Sequence, residues 1–180
     1  VQGACDMGAL PNVFPGYQRV DNPQVREKFM KAWNVASLPD KPGMMMPTMM
    51  ENLKTGKVKA FYVFGENLAN TEPDIHHVES CLKAAEFLVC QDIFPTETTR
   101  FAHVILPAAA WSENDGTFTS SERRVNRVRT ASAAPGEAKP NWWIFKELAK
   151  RMGHEWTSAS AREIWDNELS VLAPSMAGIK

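Results

Sequence analysis

Two short polar segments follow apolar runs in this sequence, and both carry side chains suited to holding a ligand. Gly65, Glu66 and Asn67 come directly after the run that ends at Phe64, and Gln91 and Asp92 after the run that ends at Cys90. Gly65 lets a ligand approach the backbone closely, because no Cβ stands in the way. Asn67 donates and accepts, so it suits a base edge or a ribose hydroxyl. Asp92 accepts two donors at once, from a ribose or from the N–H groups of a guanine. Thr71 falls near the expected start of a helix, where its hydroxyl and the free backbone N–H groups suit a phosphate or ribose. The bland alternative stays open: polar residues at strand ends also cap helices and build turns.

Other chemistries find less support. No GxGxxG and no GxxxxGK[ST] follows any apolar run, so a diphosphate here would not sit in the usual glycine-rich loops. His76 and His77 are neighbours on an expected helix and point in different directions, which suits surface residues better than a metal pair. His103 and His154 have no partners at metal-ligand spacing. Cys5 and Asp6 resemble a nucleophile with its orienting group, but no general base lies nearby, and we reject that reading. Cys5, Cys81 and Cys90 are odd in number and widely spaced, which fits reduced thiols rather than disulfides or a CxxC site. Arg123, Arg124, Arg127 and Arg129 form a basic run. It suits a solvated, salt-bridged surface, or contact with another domain or an anionic cofactor. No extended basic face suggests nucleic acid.

The elements that must position these residues follow from apolar spacing. Residues 59–64, 87–90 and 103–106 read as buried strands, the last stopped by Pro107. Between the first two, a helix is expected from about Glu72 to Ala85 with Pro73 in its first turn, facing the sheet through Val78, Leu82 and Ala85. A short helical turn around Thr96–Phe101 links the second and third. Strand, helix, strand, turn, strand implies an α/β fold: a partial Rossmann-like parallel sheet with right-handed helical crossovers. In such a sheet ligands sit beyond the C-terminal strand ends, which selects the residues named first. Upstream, residues 1–22 read as Gly/Pro-rich loop running over a larger body, followed by a helix from Gln24 to Trp33 behind Pro23, and a short helix from Thr48 to Lys54. Downstream, Thr117–Ala131 reads as extended, with Arg123, Val125, Arg127 and Arg129 on one face. Asn141 is the expected N-cap of a helix to Met152, and a last helix is expected from Ala161 to Leu172.

Bulk properties fit one ordinary folded domain. The 180 residues are 44% hydrophobic and 23% charged, with a formal net charge of -1, so no global field recruits nucleic acid or an anionic membrane. No apolar run approaches the ~20 residues of a membrane helix, so no membrane insertion is expected. Reduced thiols favour a cytoplasmic location, with a periplasmic one left open. Six Trp and nine Met suggest that other protein covers some of the surface. The first residue is Val1, which we read as a sign of processing or of a partial chain.

Several blocks resemble the formate dehydrogenase large subunit of the molybdopterin oxidoreductase family. They are VQGACDMGALPNVFPGYQ over residues 1–18, VCQDIFPTET over 89–98, VILPAAAWSENDGTF over 104–118, ERRVNR over 122–127 and EIWD over 163–166. They occur in the family's order and span essentially the whole chain. The resemblance implies a domain of the molybdopterin oxidoreductase fold. It implies oxidation of formate to carbon dioxide, or the reverse, on bis-molybdopterin guanine dinucleotide carrying Mo or W. A 4Fe-4S cluster is implied for the full-length subunit, not ligated by this chain. The remaining domains of the same subunit and iron–sulfur or electron-transfer subunits are the implied partners.

By the same resemblance, Gly65, Glu66, Asn67, Thr71, Gln91, Asp92 and Asn141 lie around the guanosine end of one dinucleotide. Several relatives have Asp at the positions of Asn67 and Asn141. An amide offers one acceptor where a carboxylate offers two, so either guanine selectivity softens or another residue supplies the acceptor. The family's metal-ligating Cys or selenocysteine, its His and its Arg fall before Val1, so no activity is expected of this chain alone. We expect residues 1–57 to pack on the rest of the subunit, 58–120 to form the nucleotide-binding core, and 121–180 to supply a linker and helices to a neighbouring domain. Other molybdopterin oxidoreductases such as nitrate reductases, a non-catalytic relative in respiratory complex I, and a nucleotide-binding or interaction module are the competing readings. The block over residues 1–18 favours formate.

Overall fold

A computed structural model of the chain describes residues 2–179. In chain order the elements are α1 (Gln2–Asp6), β1 (Val13–Phe14), β2 (Gln18–Arg19), α2 (Pro23–Trp33), α3 (Met46–Lys54), β3 (Ala60–Phe64), α4 (Leu68–Thr71), α5 (Ile75–Ala84), β4 (Phe87–Asp92), β5 (Val104–Pro107), β6 (Gly116–Thr119), β7 (Val125–Val128), α6 (Asn141–Arg151), α7 (Ala161–Ile164) and α8 (Ser170–Leu172). They fall into two compact units that interleave along the sequence. One comprises Val1–Met44, Asp115–Arg129 and Trp156–Lys180; the other comprises Met45–Asn114 and Thr130–Glu155.

The second unit holds the parallel sheet, in the order β3-β4-β5. Ala60 to Phe64 pair in register with Phe87 to Gln91, and Val89 to Asp92 pair with Val104 to Pro107. One face of this sheet is apolar because Phe61, Val63, Leu88 and Cys90 alternate with residues on the other face. Against it pack Met50 and Leu53 of α3 and Val78, Cys81 and Leu82 of α5. Leu53, Cys81 and Leu88 are fully buried. Truncating such a leucine costs about 2–5 kcal/mol, so this layer anchors the unit. The opposite face meets α6, where the Phe145 ring lies 5.9 Å from Tyr62 and 5.2 Å from Phe64.

The expected α/β class and three parallel strands are present, but the crossover helix differs. In place of one helix from Glu72 to Ala85 there are two, α4 and α5. Pro73 is the cause. It drives the preceding residue out of helical geometry, and Glu72 is extended, with ψ 145°. Asp74 then restarts the chain as a true N-cap, at φ 58°, its side chain accepting from the His77 N–H at 3.2 Å. Asn141, expected as a cap, is instead the first residue of α6 behind Pro140. Its side chain is engaged across the sheet rather than on its own helix.

The first unit is built around Phe14, Val20, Phe29 and Leu172. The Phe14 and Phe29 rings stack at 4.6 Å, and Trp33 lies 4.9 Å from Phe29, as the four-residue spacing on α2 requires. Asn22 caps α2 by accepting from the N–H groups of Gln24 and Val25. The segment read as loop carries α1 and the two-residue ribbon β1–β2. Gly8 permits the tight path there: its φ is +88°, and a Cβ would meet the Pro15 nitrogen at 2.7 Å.

Residues 116–128 form the antiparallel hairpin β6–β7. Arg123 does not share an extended face with Arg127. It sits in the hairpin turn at φ 66° and reaches the buried Asp6 carboxylate at 3.4 Å. The last expected helix is interrupted by a π-turn at Trp165–Leu169, between α7 and α8; the Trp165 indole donates to the Ile179 carbonyl at 3.2 Å.

The three cysteines are free: Cys81 and Cys90 are buried and Cys5 is half-buried. Burial, helped by the nearby Asp92 carboxylate, pushes the Cys90 thiol up to about 11. Thiolate is the reactive form, so Cys90 is protected twice. Iodoacetamide at pH 8 should therefore label Cys5 first, with Cys90 reacting only after denaturation. Native labelling of Cys90 at the rate of Cys5, read by peptide mass spectrometry, would contradict this packing.

Candidate cofactor site at the strand ends

Parallel register brings the C-terminal ends of β3, β4 and β5 to one level. Phe64 lies opposite Gln91, and Asp92 lies opposite Pro107. The chain leaves β3 through Gly65, whose N–H donates to the Gln91 carbonyl at 2.9 Å. Gly65 has φ +61°, and a Cβ built there would meet nothing within 4 Å. The backbone is therefore open to an approaching group, and its conformation is one that only glycine adopts freely.

The loop after β3 is tied together by side chains. Glu66 Oε1 accepts from the Asn67 N–H at 3.2 Å and from the Thr71 hydroxyl at 2.8 Å. Thr71 also lies 3.1 Å from the Asn67 carbonyl. Because Pro73 breaks the helix, Thr71 is the last residue of α4 and does not lie at the start of a long helix. That corrects the position expected for it, and removes the row of free N–H groups imagined beside its hydroxyl.

Asn67 reaches across to the turn after β4. Its Oδ1 accepts from the Thr98 hydroxyl at 2.9 Å and from the Thr98 N–H at 3.3 Å. Thr98 is fully buried, and its hydroxyl in turn accepts from the Ala69 N–H at 3.0 Å. Asn67 Nδ2 donates to Glu97 Oε2 at 2.7 Å. This hydrogen bond is the main reason the exposed Glu97 carboxyl lies below the usual glutamate range; its own backbone and Arg100 add to the effect.

Gln91 is fully buried on the α6 side of the sheet. The Tyr62 hydroxyl donates to its Oε1, and its Nε2 donates to Asn141 Oδ1 at 2.8 Å. Gln91 thus acts from behind, fixing Asn141. Burial raises the Tyr62 hydroxyl above the ordinary tyrosine value, which keeps its proton in place as a donor. Asp92 is half-buried and accepts from the Ile93 N–H at 2.7 Å through Oδ1; among the described residues its Oδ2 takes no donor.

The structure therefore gathers Gly65, Glu66 and Asn67 of the loop after β3 with Thr71 at the end of α4, and sets Gln91, Asp92 and Asn141 around the end of β4. Sequence reasoning overlooked Tyr62, Glu97 and Thr98. The only signal for the last two was their place in the block over residues 89–98, since some thirty positions separate them from Asn67. Other candidates fall elsewhere. His77 Nε2 lies 3.1 Å from Glu51 and 3.5 Å from the Cys81 sulfur, bridging α3 and α5. His103 Nδ1 accepts from the Leu88 N–H at 3.0 Å. Among the described residues no group of three His, Cys, Asp or Glu is placed to hold a metal ion.

The Glu97 carboxylate offers a direct test of the Asn67 link. Its lowered value means that the pair stabilises the fold above the ordinary glutamate value and loses that contribution as pH falls through the folded value. Asn67→Asp keeps an oxygen facing Thr98 but sets a second carboxylate against Glu97. Carboxyl-carbon NMR titration should then show the Glu97 pKa above its wild-type value; an unchanged value would mean that the two side chains do not pair.

Comparison with known proteins identifies the family. The molybdopterin oxidoreductase family pattern matches residues 1–151. The chain is 48% identical to the alpha subunit of F420-dependent formate dehydrogenase 2 of Methanococcus maripaludis, over 99% of this chain and 26% of that protein. It is 42% identical to formate dehydrogenase H of Escherichia coli, over 99% of this chain and 25% of that protein. The chain thus spans about a quarter of the length of these relatives. Among solved structures, acetylene hydratase from Pelobacter acetylenicus matches with a TM-score of 0.60 at 23% identity, covering 81% of this chain and 21% of that one, a likeness of fold. With a family pattern over residues 1–151 and relatives aligned along 99% of its own length, this chain belongs to the molybdopterin oxidoreductase family.

Proposed function

We propose that the chain is the part of a molybdenum- or tungsten-dependent formate dehydrogenase that grips the guanosine end of one pterin dinucleotide. The observation that carries this reading is identity of 48% to a formate dehydrogenase alpha subunit along nearly the whole chain. The family implies a molybdopterin cofactor with Mo or W. The residues fit its nucleotide end: an open glycine backbone, a carboxylate at Asp92 with a free oxygen, and amides at Asn67 and Asn141 anchored from behind. In this reading Gly65 admits the ligand, and Asp92, Asn67 and Asn141 hydrogen-bond it. Glu66, Thr71 and Gln91 hold those groups in place. No residue among them performs bond chemistry.

When bound, the cofactor supplies the two-electron redox step by which formate becomes carbon dioxide and a proton. The protein's share is placement: fixing the nucleotide fixes the pterin, and so the reacting centre, before substrate arrives. The bis-molybdopterin guanine dinucleotide form, a 4Fe-4S cluster held by other parts of the subunit, and iron–sulfur or electron-transfer partner subunits complete the proposed enzyme. The resemblance to formate dehydrogenases supports formate over nitrate as its substrate. We place it in the cytoplasm, in keeping with the three free cysteines; among the described residues no helix is long and apolar enough to cross a membrane. We expect the chain by itself not to oxidise formate, because the resemblance implies that the family's metal ligand and its assisting His and Arg are supplied by other parts of the subunit.

Titration of the chain with GMP and AMP, followed by amide NMR, tests the site. GMP should shift the amides of Gly65, Ile93 and Asn141 and bind more tightly than AMP. Equal affinity for the two, or shifts confined to other residues, would overturn the reading.

A further inference from the structure

Asn67 has only one admissible orientation. The Thr98 backbone N–H can donate and cannot accept, so the amide oxygen must face it. Turning the amide over would set N–H against N–H and strand a fully buried residue without its partner. The Nδ2 group therefore faces the other way, and one of its hydrogens holds Glu97 Oε2 at 2.7 Å. Its second hydrogen has no partner among the described residues, and Glu97 accepts from no other residue's side chain. Asn67 thus cannot serve as the acceptor for a guanine. What stands beside it is a carboxylate that it holds in position, so a donor and an acceptor lie next to each other on one hydrogen-bonded frame.

We propose that Glu97, positioned by Asn67, is the carboxylate that accepts from the ring N–H and amino group of guanine, while the free Asn67 hydrogen donates to guanine O6. This rests on the nucleotide reading and names the group that gives it base selectivity. Guanine presents an oxygen acceptor where adenine presents an amino donor, so an amide N–H beside a carboxylate matches the first and opposes the second. An amide at position 67 is then compatible with guanine selectivity, because the carboxylate that accepts is at position 97. Asp92, with Oδ1 already bonded to Ile93 N–H, is left for the ribose hydroxyls.

The test uses the 180-residue chain, with GMP, 2′-deoxy-GMP and AMP titrated by amide NMR. Glu97 is exposed, so Glu97→Gln leaves the fold intact. It should weaken GMP and 2′-deoxy-GMP alike by about tenfold or more, as loss of a base-reading pair does, and leave AMP unchanged. Asn67→Ala should lose the same preference and raise the Glu97 carboxyl part of the way toward the ordinary glutamate range, while a merely structural role for Asn67 would raise the carboxyl and leave the preference for GMP over AMP in place. If the wild-type chain prefers GMP and Glu97→Gln does not alter that preference, this assignment is wrong and the nucleotide site stands. Weakening of GMP without weakening of 2′-deoxy-GMP would assign Glu97 to the ribose and also overturn it. A wild-type chain with no preference for GMP would overturn both readings.

Discussion

The position of β4 between two parallel partners is the constraint on which the strand-end chemistry depends. Its carbonyls at Gln91 and Asp92 receive the N–H groups of Gly65 and Ala108, each at 2.9 Å. Those bonds bring the exits of three strands to one level. Its alternating side chains send Leu88 and Cys90 into the apolar layer under α3 and α5, and Gln91 toward α6. A shift of one residue would exchange these faces, burying the wrong set and exposing the core. The site and the core are therefore two consequences of one register.

Polar groups behind the site are ordered by the same logic. Gln91 is buried with both ends of its amide occupied, by Tyr62 and by Asn141. A satisfied bond of this kind contributes about 1 kcal/mol net, whereas one left without its partner costs about 1–3 kcal/mol. The chain of three side chains is thus worth more for what it forbids than for what it adds. It holds the start of α6 against the sheet, alongside the contacts of Phe145 with Tyr62 and Phe64. The Asn67–Thr98 link does the same for the two loops above.

The sheet was legible in the sequence because buried parallel strands are short apolar runs, and residues 59–64 and 87–90 have few other ways to fold. The strand-end rule then pointed to Gly65 and Asp92 without further knowledge. Helix boundaries were less legible. Pro73 could open a helix or precede one, and only the conformation of Asp74 decides between these. Asn141 looked like a cap because Asn is common there, but its buried neighbour Gln91 competes for the same oxygen. The Glu97 contact with Asn67 was scarcely legible, its one signal being its place in the block over residues 89–98. That contact depends on which way the Asn67 amide faces, and a backbone N–H some thirty residues away sets that.

The interleaving of the two units has a consequence for the order in which the chain can fold as it is made. The sheet-bearing unit ends at Glu155, so all of its contacts are available once that residue has emerged. The other unit must wait. Its Gln18 and Lys28 side chains both donate at 2.8 Å to the carbonyl of Leu172, across 154 and 144 positions. Closing loops of that length is slow relative to local pairing, and nothing rewards it until the far end arrives. The aromatic cluster of Phe14, Phe29 and Trp33 emerges well before Leu172, the residue that packs against it. A nascent chain therefore carries an open apolar surface at this cluster while its parallel sheet is already complete.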